Sequence, residues 1–404
     1  MSNAVLILNA GSSTLKFALF DATSALSPLV RGEVEEITIA PRLVSRDNEN
    51  NILINHRWPN SHTDQFAIIL KWLLEYIESY QGHDGLTAVG HRVVHGGARY
   101  IKPERVAPAL LQSLVDLIPL DPIHMPHNIA PIRAIAELRP ELSQVVCFDT
   151  AFHHTLPPVA QRFALPRALF DTGIRRYGFH GLSYEYIAGR LREQSPALAR
   201  GRVVVAHLGA GASLCGLLNG DSVATTFGFS VLDGLVMATR CGSVDPGVIL
   251  YLGRQGYTFA DVEDMLYSRS GLLGVSGISG DIRVLLKSKD IHAREAVDLF
   301  VYRLAVEIAG MAGALGGLDG IVFTAGIGQH SPEIRQAVCQ RLAWLGVRLD
   351  HAANDASEPR ISVPESEIEV RVIATDEEVM IARHVRDLLS SFKKTDRNIG
   401  QHDD

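Results

Sequence analysis

The stretch VLILNAGSST (residues 5–14) has a counterpart in the middle of the chain, VVVAHLGAGAS (residues 203–213). Each is an apolar run that ends in small residues, and each leads into a second apolar run, at 17–20 or at 214–218. A strand, a tight turn and a return strand form a hairpin whose exposed backbone N–H groups can face a phosphate. One such hairpin is explained equally well as part of any large sheet, but the pair predicts two related halves.

The rest of the chain alternates short Val-, Ile- and Leu-rich runs with amphipathic helical segments, the pattern of an α/β protein. Further strands are predicted at 88–94, 144–149, 321–325 and 370–374. One helix is predicted over 64–80 with Thr63 as its cap, and a second from Ser331-Pro332 to a stop at Gly346. The last helix is expected from Glu377 to about Ser391, followed by a polar, frayed tail.

Size and composition argue against several classes of function. At 404 residues two domains are expected, and the net charge of -7 argues against a general nucleic-acid binder. The four cysteines have no Cys-x-x-Cys spacing, so they predict reduced thiols and neither a disulfide framework nor a zinc site. No secretory or membrane-spanning segment is recognised, which predicts a cytoplasmic protein that acts on small molecules.

Residues 9–16, NAGSSTLK, offer small residues for close approach, hydroxyl groups for phosphate oxygens, an amide for a metal or its water, and a lysine for charge. A polar hairpin tip explains the same residues without any ligand. Neither a Gly-x-x-x-x-Gly-Lys-Ser/Thr loop nor a Gly-x-Gly-x-x-Gly turn between strand and helix is present. A nucleotide would therefore be held in another way.

Three further strings place Arg or His beside glycine: GHRVVHGG (90–97), RRYGFHG (175–181) and ATRCGSVDP (238–246). Arginine presents a planar fork of donors to carboxylate or phosphate oxygens, so such strings suit an anion. A lone arginine is more often a solvated charge, but Arg92 ends an apolar strand. Asp149 likewise ends a strand, and open α/β sheets bind ligands beyond the carboxyl ends of their strands.

In order and over nearly the whole chain, these strings resemble the family of acetate, propionate and butyrate kinases. The resembling segments are 9–16, 91–97, 122–128, 148–153, 176–183, 207–213, 239–246, 270–283, 324–331 and 375–378. The resemblance implies two duplicated actin-like ATPase (ribonuclease H-like) domains, as in Hsp70 and sugar kinases, with an active-site cleft between them. It also implies reversible transfer of a phosphoryl group between ATP and acetate, with Mg²⁺ (or Mn²⁺) as cofactor, and a homodimer.

The expected first domain covers 1–150 plus 378–395, and the second covers 151–377 with the nucleotide site and the dimer interface, before a polar tail at 396–404. By resemblance, the metal site is Asn9 and Glu377, and the first phosphate region is Ser12, Thr14 and Lys16. The second phosphate region is His207, Leu208, Gly209, Ala210 and Gly211. The nucleoside would contact Asp281, Ile282, Arg283, Gly326, Ile327, Gly328, Gln329 and His330.

The resemblance also assigns Arg92, Asp149, His180 and Arg240 to the reacting groups and His124 to a further active-site histidine. The apolar end of the carboxylate would contact Val94, Ile123, Phe179 and Val231. A carboxylic acid titrates near pH 4.3, so the attacking group is already an anion and needs no general base. Catalysis is then in-line positioning and charge neutralisation by Mg²⁺, Arg92, Arg240 and His180, while Asp149 orients either an arginine or a metal-bound water.

The chain departs from the family pattern in a few positions. Ala210 replaces a usual Asn, Val231 a usual Pro, Cys241 to Ser243 a usual Ser-Gly-Asp, and Gln329-His330 a usual Glu-Asn. Two rival functions follow: a propionate or butyrate kinase, and a weakly active ligand sensor on the same fold. Cys241 beside Arg240 has two interpretations of equal weight, a reactive thiolate or a packed small residue.

Overall fold

The computed structural model describes residues 4–11, 13–22, 26–37, 39–59, 65–81 and 85–399. The chain divides into two compact units, unit 1 from Met1–Ala151 with Asp376–Asp404 and unit 2 from Phe152–Thr375. Glu377 therefore belongs to unit 1, whereas the expected boundary placed it at the end of the second domain.

Unit 1 is built on one mixed sheet. Its strands are β1 (Ala4–Ala10), β2 (Leu15–Asp21), β3 (Pro28–Glu35), β4 (Arg42–Arg46), β5 (Ile52–Arg57), β6 (Leu86–Val93), β7 (Glu104–Arg105) and β8 (Ser143–Phe148). The strand order is β5-β4-β3-β2-β1-β6-β8-β7. Its first helices are α1 (Gln65–Gln81), α2 (Pro108–Asp116) and α3 (Met125–Leu138). Ile69, Leu70 and Leu73 of α1 pack in one buried cluster with alternate residues of the strands, such as Leu6 and Leu8.

Unit 2 has a smaller sheet, with strands β9 (Arg202–Leu208), β10 (Ala212–Leu218), β11 (Asp221–Thr225), β12 (Gly320–Thr324) and β13 (Glu369–Val372). Its helices are α4 (Arg167–Asp171), α5 (Gly181–Gln194), α6 (Pro196–Ala199), α7 (Pro246–Arg254), α8 (Phe259–Ser268), α9 (Gly271–Ser276), α10 (Ile282–Lys287), α11 (Ile291–Leu315), α12 (Ala325–His330), α13 (Pro332–Arg341) and α14 (His351–Asp355). Tyr184 and Ile187 of α5 pack on Val203 and Val205 of β9.

The two sheets repeat one topology. In unit 2 the order is β11-β10-β9-β12-β13, with β9 antiparallel to β10 and parallel to β12. In unit 1 the run β3-β2-β1-β6-β8 has the same directions, with β1 antiparallel to β2 and parallel to β6. The hairpin β1–β2 therefore corresponds to β9–β10. This confirms the two related halves that the repeated sequence predicts.

Helix α15 (Glu377–Ile399) returns to unit 1 and packs against β1 and β6. Its Ile381 and Val385 lie so close to Gly90 of β6 that a Cβ there would come within 2.7 Å of both side chains. Glycine at this position lets the helix approach the sheet, and the approach brings the start of α15, with Glu377, to the ends of β1 and β6.

Most predicted elements are confirmed within one or two residues, but two predictions at helix ends were wrong. Helix α13 ends at Arg341, and Gly346, with φ of 96°, instead ends the short 3₁₀ turn Ala343–Leu345 that follows it. Helix α15 does not end near Ser391 but continues to Ile399. The predicted cap Thr63 lies outside the described residues. None of the helices in the described ranges is long and apolar enough to cross a membrane.

Candidate active site

In unit 1 the polar side chains cluster around Arg92, which lies next to the last residue of β6. Its guanidinium group donates two hydrogen bonds to the Asp149 carboxylate, at 3.0 and 2.6 Å, in the paired geometry that arginine favours. A third bond, of 3.2 Å, goes to the Asn9 side-chain oxygen on β1. The Glu377 carboxylate lies 3.6 Å from the same guanidinium group. Asn9 and Arg92 near the ends of β1 and β6, Asp149 after β8 and Glu377 at the start of α15 thus meet at the carboxyl ends of the central strands.

The cluster carries more negative than positive charge. Burial disfavours the charged form of Arg92, but the carboxylates of Asp149 and Glu377 outweigh it and hold the pKa of Arg92 above its usual range. Burial raises the pKa of Glu377 to about 7; Arg92 opposes this shift, while the nearby Asp149 and Glu378 carboxylates add to it. A further cation beside Glu377 would therefore be favourable.

Asn128 was not among the predicted site residues, yet it connects the two strand ends. Its side-chain oxygen accepts from the backbone N–H of Val94 at 2.9 Å, and its amide group donates to the carbonyl of Ala10 at 2.8 Å. It is 3 % exposed. The available signal was its position at the end of the resembling segment 122–128.

The remaining predicted residues of unit 1 lie around these strand ends. The Thr14 carbonyl closes the hairpin tip by accepting from Gly11 N–H at 2.8 Å, and Lys16 is an exposed residue of β2 paired in register with Asn9. Ser12 lies outside the described residues. His124 precedes α3 and contacts the Asp121 carboxylate through Nδ1 at 2.9 Å. Of the predicted acyl contacts, Val94 is buried and Ile123 half-buried.

In unit 2 two predicted histidines form a stacked pair. The rings of His180 and His207 have centroids 4.0 Å apart and planes 23° apart. Each Nδ1 meets a serine hydroxyl: Ser213 at 2.9 Å from His180, and Ser183 at 2.8 Å from His207. His180 has a φ of 58°, a left-handed conformation that costs energy for a residue with a side chain. Sequence analysis predicts His207 in the second phosphate region and His180 beside the reacting groups, and the structure stacks the two rings on each other.

Arg240 and Gly211 lie beside this pair. A Cβ built on Gly211 would be 3.5 Å from His180 Nε2 and 3.6 Å from a terminal nitrogen of Arg240, so glycine leaves the space between them open. Arg240 also reaches the carbonyl of Val231 at 3.4 Å. Val231 and Phe179, the predicted acyl contacts of unit 2, are buried at 5 % and 1 % exposure.

A cavity of about 600 Å³ opens in unit 2 near the β9–β10 turn. Its lining contains eight of the residues predicted to bind the nucleotide: Gly209, Ala210, Asp281, Ile282, Arg283, Gly326, Ile327 and His330. Ala238, Gly280 and Ser331 also line it and were not predicted. Asp281 caps α10 by accepting from Arg283 N–H, and hydrogen bonds from Arg283 lower the pKa of Asp281.

Not every predicted nucleotide residue lies at that cavity. Leu208 is fully buried in β9. The carbonyls of Gly328 and Gln329 accept bonds of 2.9 and 2.8 Å from Arg335, a fully buried arginine that sequence analysis missed. No local signal distinguishes Arg335 from the exposed arginines of amphipathic helices.

Of the two interpretations of Cys241, the structure favours packing. The thiol is half-buried, and burial raises its pKa, with the Asp233 carboxylate raising it further. The reactive thiolate requires a lowered pKa. Of the two interpretations given equal weight, the reactive thiolate is therefore the less supported.

Comparison with known proteins agrees with this arrangement. An acetate kinase of Rhodopseudomonas palustris is 52% identical over 394 residues, which cover 95% of this chain and 98% of the relative. An acetate kinase of Methylocella silvestris is 46% identical over 402 residues, 97% of this chain and 99% of the relative. The solved structure of a propionate kinase from Francisella tularensis superposes with a TM-score of 0.87 at 35% identity, covering 95% of this chain and 98% of that one.

The structure of Porphyromonas gingivalis acetate kinase superposes with a TM-score of 0.86 at 33% identity, covering 96% of this chain and all of that one. The architecture is the duplicated actin-like ATPase fold, as the repeated strand order indicates. The sequence model of the Acetokinase family matches residues 4–383. With the repeated hairpins, the Arg92 cluster and this match over nearly its whole length, the chain belongs to the acetokinase family.

Proposed function

We propose that the protein transfers the γ-phosphoryl group of ATP reversibly to acetate, giving acetyl phosphate and ADP, by direct in-line transfer that depends on Mg²⁺. The observation that carries this proposal is 52% identity to an acetate kinase across 95% of the chain. The chain's own contacts support it further, because Asp149 and Asn9 hold Arg92 in unit 1 and Arg240 lies beside Gly211 and His180 in unit 2, and guanidinium groups suit phosphate or carboxylate.

Arg92 is assigned to binding the reacting anions, and Asp149 to orienting Arg92. The two hydrogen bonds between them fix the orientation of the guanidinium plane. Electrostatic catalysis needs this kind of preorganisation. Asp149 is 1 % exposed, so its carboxylate serves a fixed contact better than the capture of a proton. Of the two roles open for Asp149, the orientation of an arginine is the better supported.

The residues around Arg92 also fit a magnesium ion. Mg²⁺ prefers oxygen ligands and is held by one or two carboxylates together with substrate phosphates. Asn9 and Glu377 offer an amide oxygen and a carboxylate, and the raised pKa of Glu377 indicates that a further cation is favourable there. When bound, Mg²⁺ would neutralise charge on the phosphates. Asn9 and Glu377 would hold it, and the chain's own groups would do the positioning.

The nucleoside is assigned to the cavity of unit 2. Its volume of about 600 Å³ is in the range of ligand pockets, and its lining combines glycine backbone with Ile282 and Ile327 as apolar contacts. His180 and Arg240 lie near Gly211 and His207 lies near Gly209, and Gly209 and Ala210 of the same turn line the cavity. That continuity supports their assignment to the phosphates and the transferring group.

A homodimer is part of the proposal, with a second copy of this chain as the partner. Helix α7 buries none of its residues and exposes Val248, Leu250 and Tyr251, and Phe259 at the start of α8 is 85 % exposed. Apolar exposure of this kind marks interaction surfaces. Sedimentation should give a dimer that Leu250→Glu with Tyr251→Glu converts to monomer. A monomeric parent protein would refute the dimer.

We further propose a cytoplasmic location, since ATP is the phosphoryl donor. Cys215, Cys241 and Cys339 carry free thiols, which suits a reducing compartment.

An acyl-hydroxamate assay with ATP, Mg²⁺ and a series of carboxylates tests the activity. We expect hydroxamate from acetate, with specificity for propionate lower by a modest factor because one methylene in an apolar pocket changes binding by about 1–3 kcal/mol. Omission of Mg²⁺ is the first control. Higher specificity for propionate or butyrate would reassign the substrate, and no carboxylate-dependent ADP would favour the ligand sensor.

A further inference from the structure

The His180 imidazole lies at one end of a buried chain of hydrogen bonds. Its Nδ1 is 2.9 Å from Ser213 Oγ, and Ser213 Oγ is 2.6 Å from the Tyr184 hydroxyl. Ser213 and Tyr184 are both fully buried. In the part of the chain that the structure describes, Ser213 Oγ is the hydrogen-bond partner of the Tyr184 hydroxyl.

The direction of these bonds follows from counting donors. Tyr184 and Ser213 each carry one O–H donor, and neutral histidine carries one N–H. If Tyr184 donates to Ser213, then Ser213 donates to His180 Nδ1, and every buried donor has an acceptor. If His180 donates to Ser213 instead, Ser213 can donate to Tyr184, which leaves the phenol proton without an acceptor among the described residues. Alternatively Ser213 accepts from Tyr184 as well, which leaves its own proton without one. Buried donors are almost always satisfied, so the first direction is favoured.

We infer that Tyr184 and Ser213 act as positioning residues that hold His180 as a neutral imidazole with its proton on Nε2, so that it donates a hydrogen bond to the phosphoryl group and does not act as a cation. This inference rests on the proposed function for the identity of the acceptor. It revises the sequence-based expectation that His180 supplies positive charge. The charge then comes from Arg92, Arg240 and the metal.

The surroundings of His180 support the neutral form. An imidazolium needs Nδ1 as a donor, and Ser213 would then accept from it, which leaves the proton of either Ser213 or Tyr184 buried without an acceptor among the described residues. The groups facing the ring are His207, stacked at 4.0 Å, and Arg240, which lies on the Nε2 side across from Gly211; Phe227 is apolar, 5.1 Å away. A nearby cation also disfavours a second positive charge. Burial raises the pKa of Tyr184 well above its usual value, so the phenol remains a donor at neutral pH.

His207 follows the same rule within the same site. Its Nδ1 meets Ser183, and Ser183 Oγ has His207 as its hydrogen-bond partner among the described residues. Ser183 is fully buried, so its hydroxyl is expected to donate to Nδ1, which places the His207 proton on Nε2 as well.

Nitrogen NMR of the full-length protein labelled with ¹⁵N-histidine tests the inference without any measurement of activity. His180→Gln identifies the His180 signals by their loss. We expect Nδ1 to have the shift of an unprotonated nitrogen and Nε2 that of a protonated one, from pH 8 down to pH 6. A protonated Nδ1 in this range would overturn the inference.

Ser213→Ala should release the constraint, because it removes the hydroxyl whose donated hydrogen bond keeps Nδ1 unprotonated. We expect the pKa of His180 to rise by about one unit or more, that is tenfold in its acid dissociation constant. The pH profile of kcat should gain an ionisation near the ordinary histidine value of about 6.5. Ser45→Ala is the matched control, since it removes the hydroxyl of another serine–tyrosine pair, Ser45 with Tyr76 in unit 1.

Ser213→Ala also takes away the partner of the Tyr184 hydroxyl, and if that variant fails to fold, the spectrum of the parent protein is decisive by itself. An unchanged His180 spectrum in a folded Ser213→Ala protein would refute this hydrogen-bonded relay of Tyr184, Ser213 and His180. The two proposals fail separately: hydroxamate formation with a protonated Nδ1 refutes only the relay, and the expected tautomer without phosphoryl transfer refutes only the proposed function.

Discussion

At the scale of single residues, the sequence predicted which residues belong to the candidate site but not which of their side chains contact one another. Arg92, Asp149 and Asn9 were all predicted, because each follows or ends a strand and matches a family segment. That Asp149 pairs with Arg92 through two hydrogen bonds became visible only when β6 and β8 lay side by side. Parallel neighbours bring residues distant in the sequence to the same sheet edge.

Arg92→Ala should lower kcat/KM for acetate by about a hundredfold or more, because it removes a charged donor preorganised by Asp149. Arg92→Lys should recover only part of this, since a lysine cannot make the paired bonds to a carboxylate. Steady-state kinetics measures both. Arg139→Ala is the matched control, because Arg139 makes the same paired bonds to Glu78, at 2.8 Å each, elsewhere in unit 1. Equal losses in the two alanine variants would show that Arg92 is structural only.

Ala210 lines the cavity proposed for the nucleoside and is exposed, so a longer polar side chain fits there. Ala210→Asn should lower KM for ATP by about two- to tenfold, the value of one added neutral hydrogen bond. KM for acetate should not change, which makes it the internal control. A KM for ATP that rises or stays the same would mean that the donor phosphates do not reach this turn.

At the scale of elements, helix α12, which lines the cavity proposed for the nucleoside, is contacted by a residue that lies outside the cavity. Arg335 of α13 is fully buried and donates to the last carbonyls of α12 and to Asn354 of α14. Its charge meets the negative end of the α12 backbone, which suits a cation. Helix α12 is short, so this contact replaces the support that a longer helix gives itself.

Arg335→Met should raise KM for ATP with a smaller effect on kcat, because α12 loses its partner while the reacting groups remain. It should also lower the free energy of unfolding by about 1–3 kcal/mol for each acceptor left buried and unpaired. Urea denaturation and kinetics at saturating acetate measure the two effects. Arg341→Met, on an exposed arginine of the same helix, serves as the control. Loss of stability with an unaltered KM for ATP would mean that Arg335 supports the fold but not the proposed nucleotide site.

At the scale of the whole molecule, unit 1 is discontinuous in sequence. Helix α15 belongs to it although 224 residues of unit 2, Phe152–Thr375, intervene. The helix buries Ile381, Ala382 and Val385 completely. Helix α15 therefore contributes buried side chains to the hydrophobic core of unit 1.

A chain that stops at Thr375 should lose the fold of unit 1. Each fully buried Ile or Val side chain contributes about 1.5–3 kcal/mol, and whole domains are stable by only about 5–15 kcal/mol. Hydrogen exchange should show rapid exchange in β1 and β6 and retained protection in β9 and β12. A chain that stops at Ile399 is the control and should match the parent. Protection of β1 and β6 in the shorter chain would contradict the contribution assigned to α15.

The sequence by itself determined the α/β class, the repeated hairpin and most strand positions, because alternation and small-residue turns are local properties of a chain. It also determined the family and most of the residues that line the cavity of unit 2, because these lie in short ordered strings. Only the tertiary structure decided the pairing of Arg92 with Asp149, the stack of His180 on His207 and the supporting contacts of Asn128 and Arg335. Those contacts join residues far apart in the chain, and packing, not local pattern, selects which of many polar side chains meet.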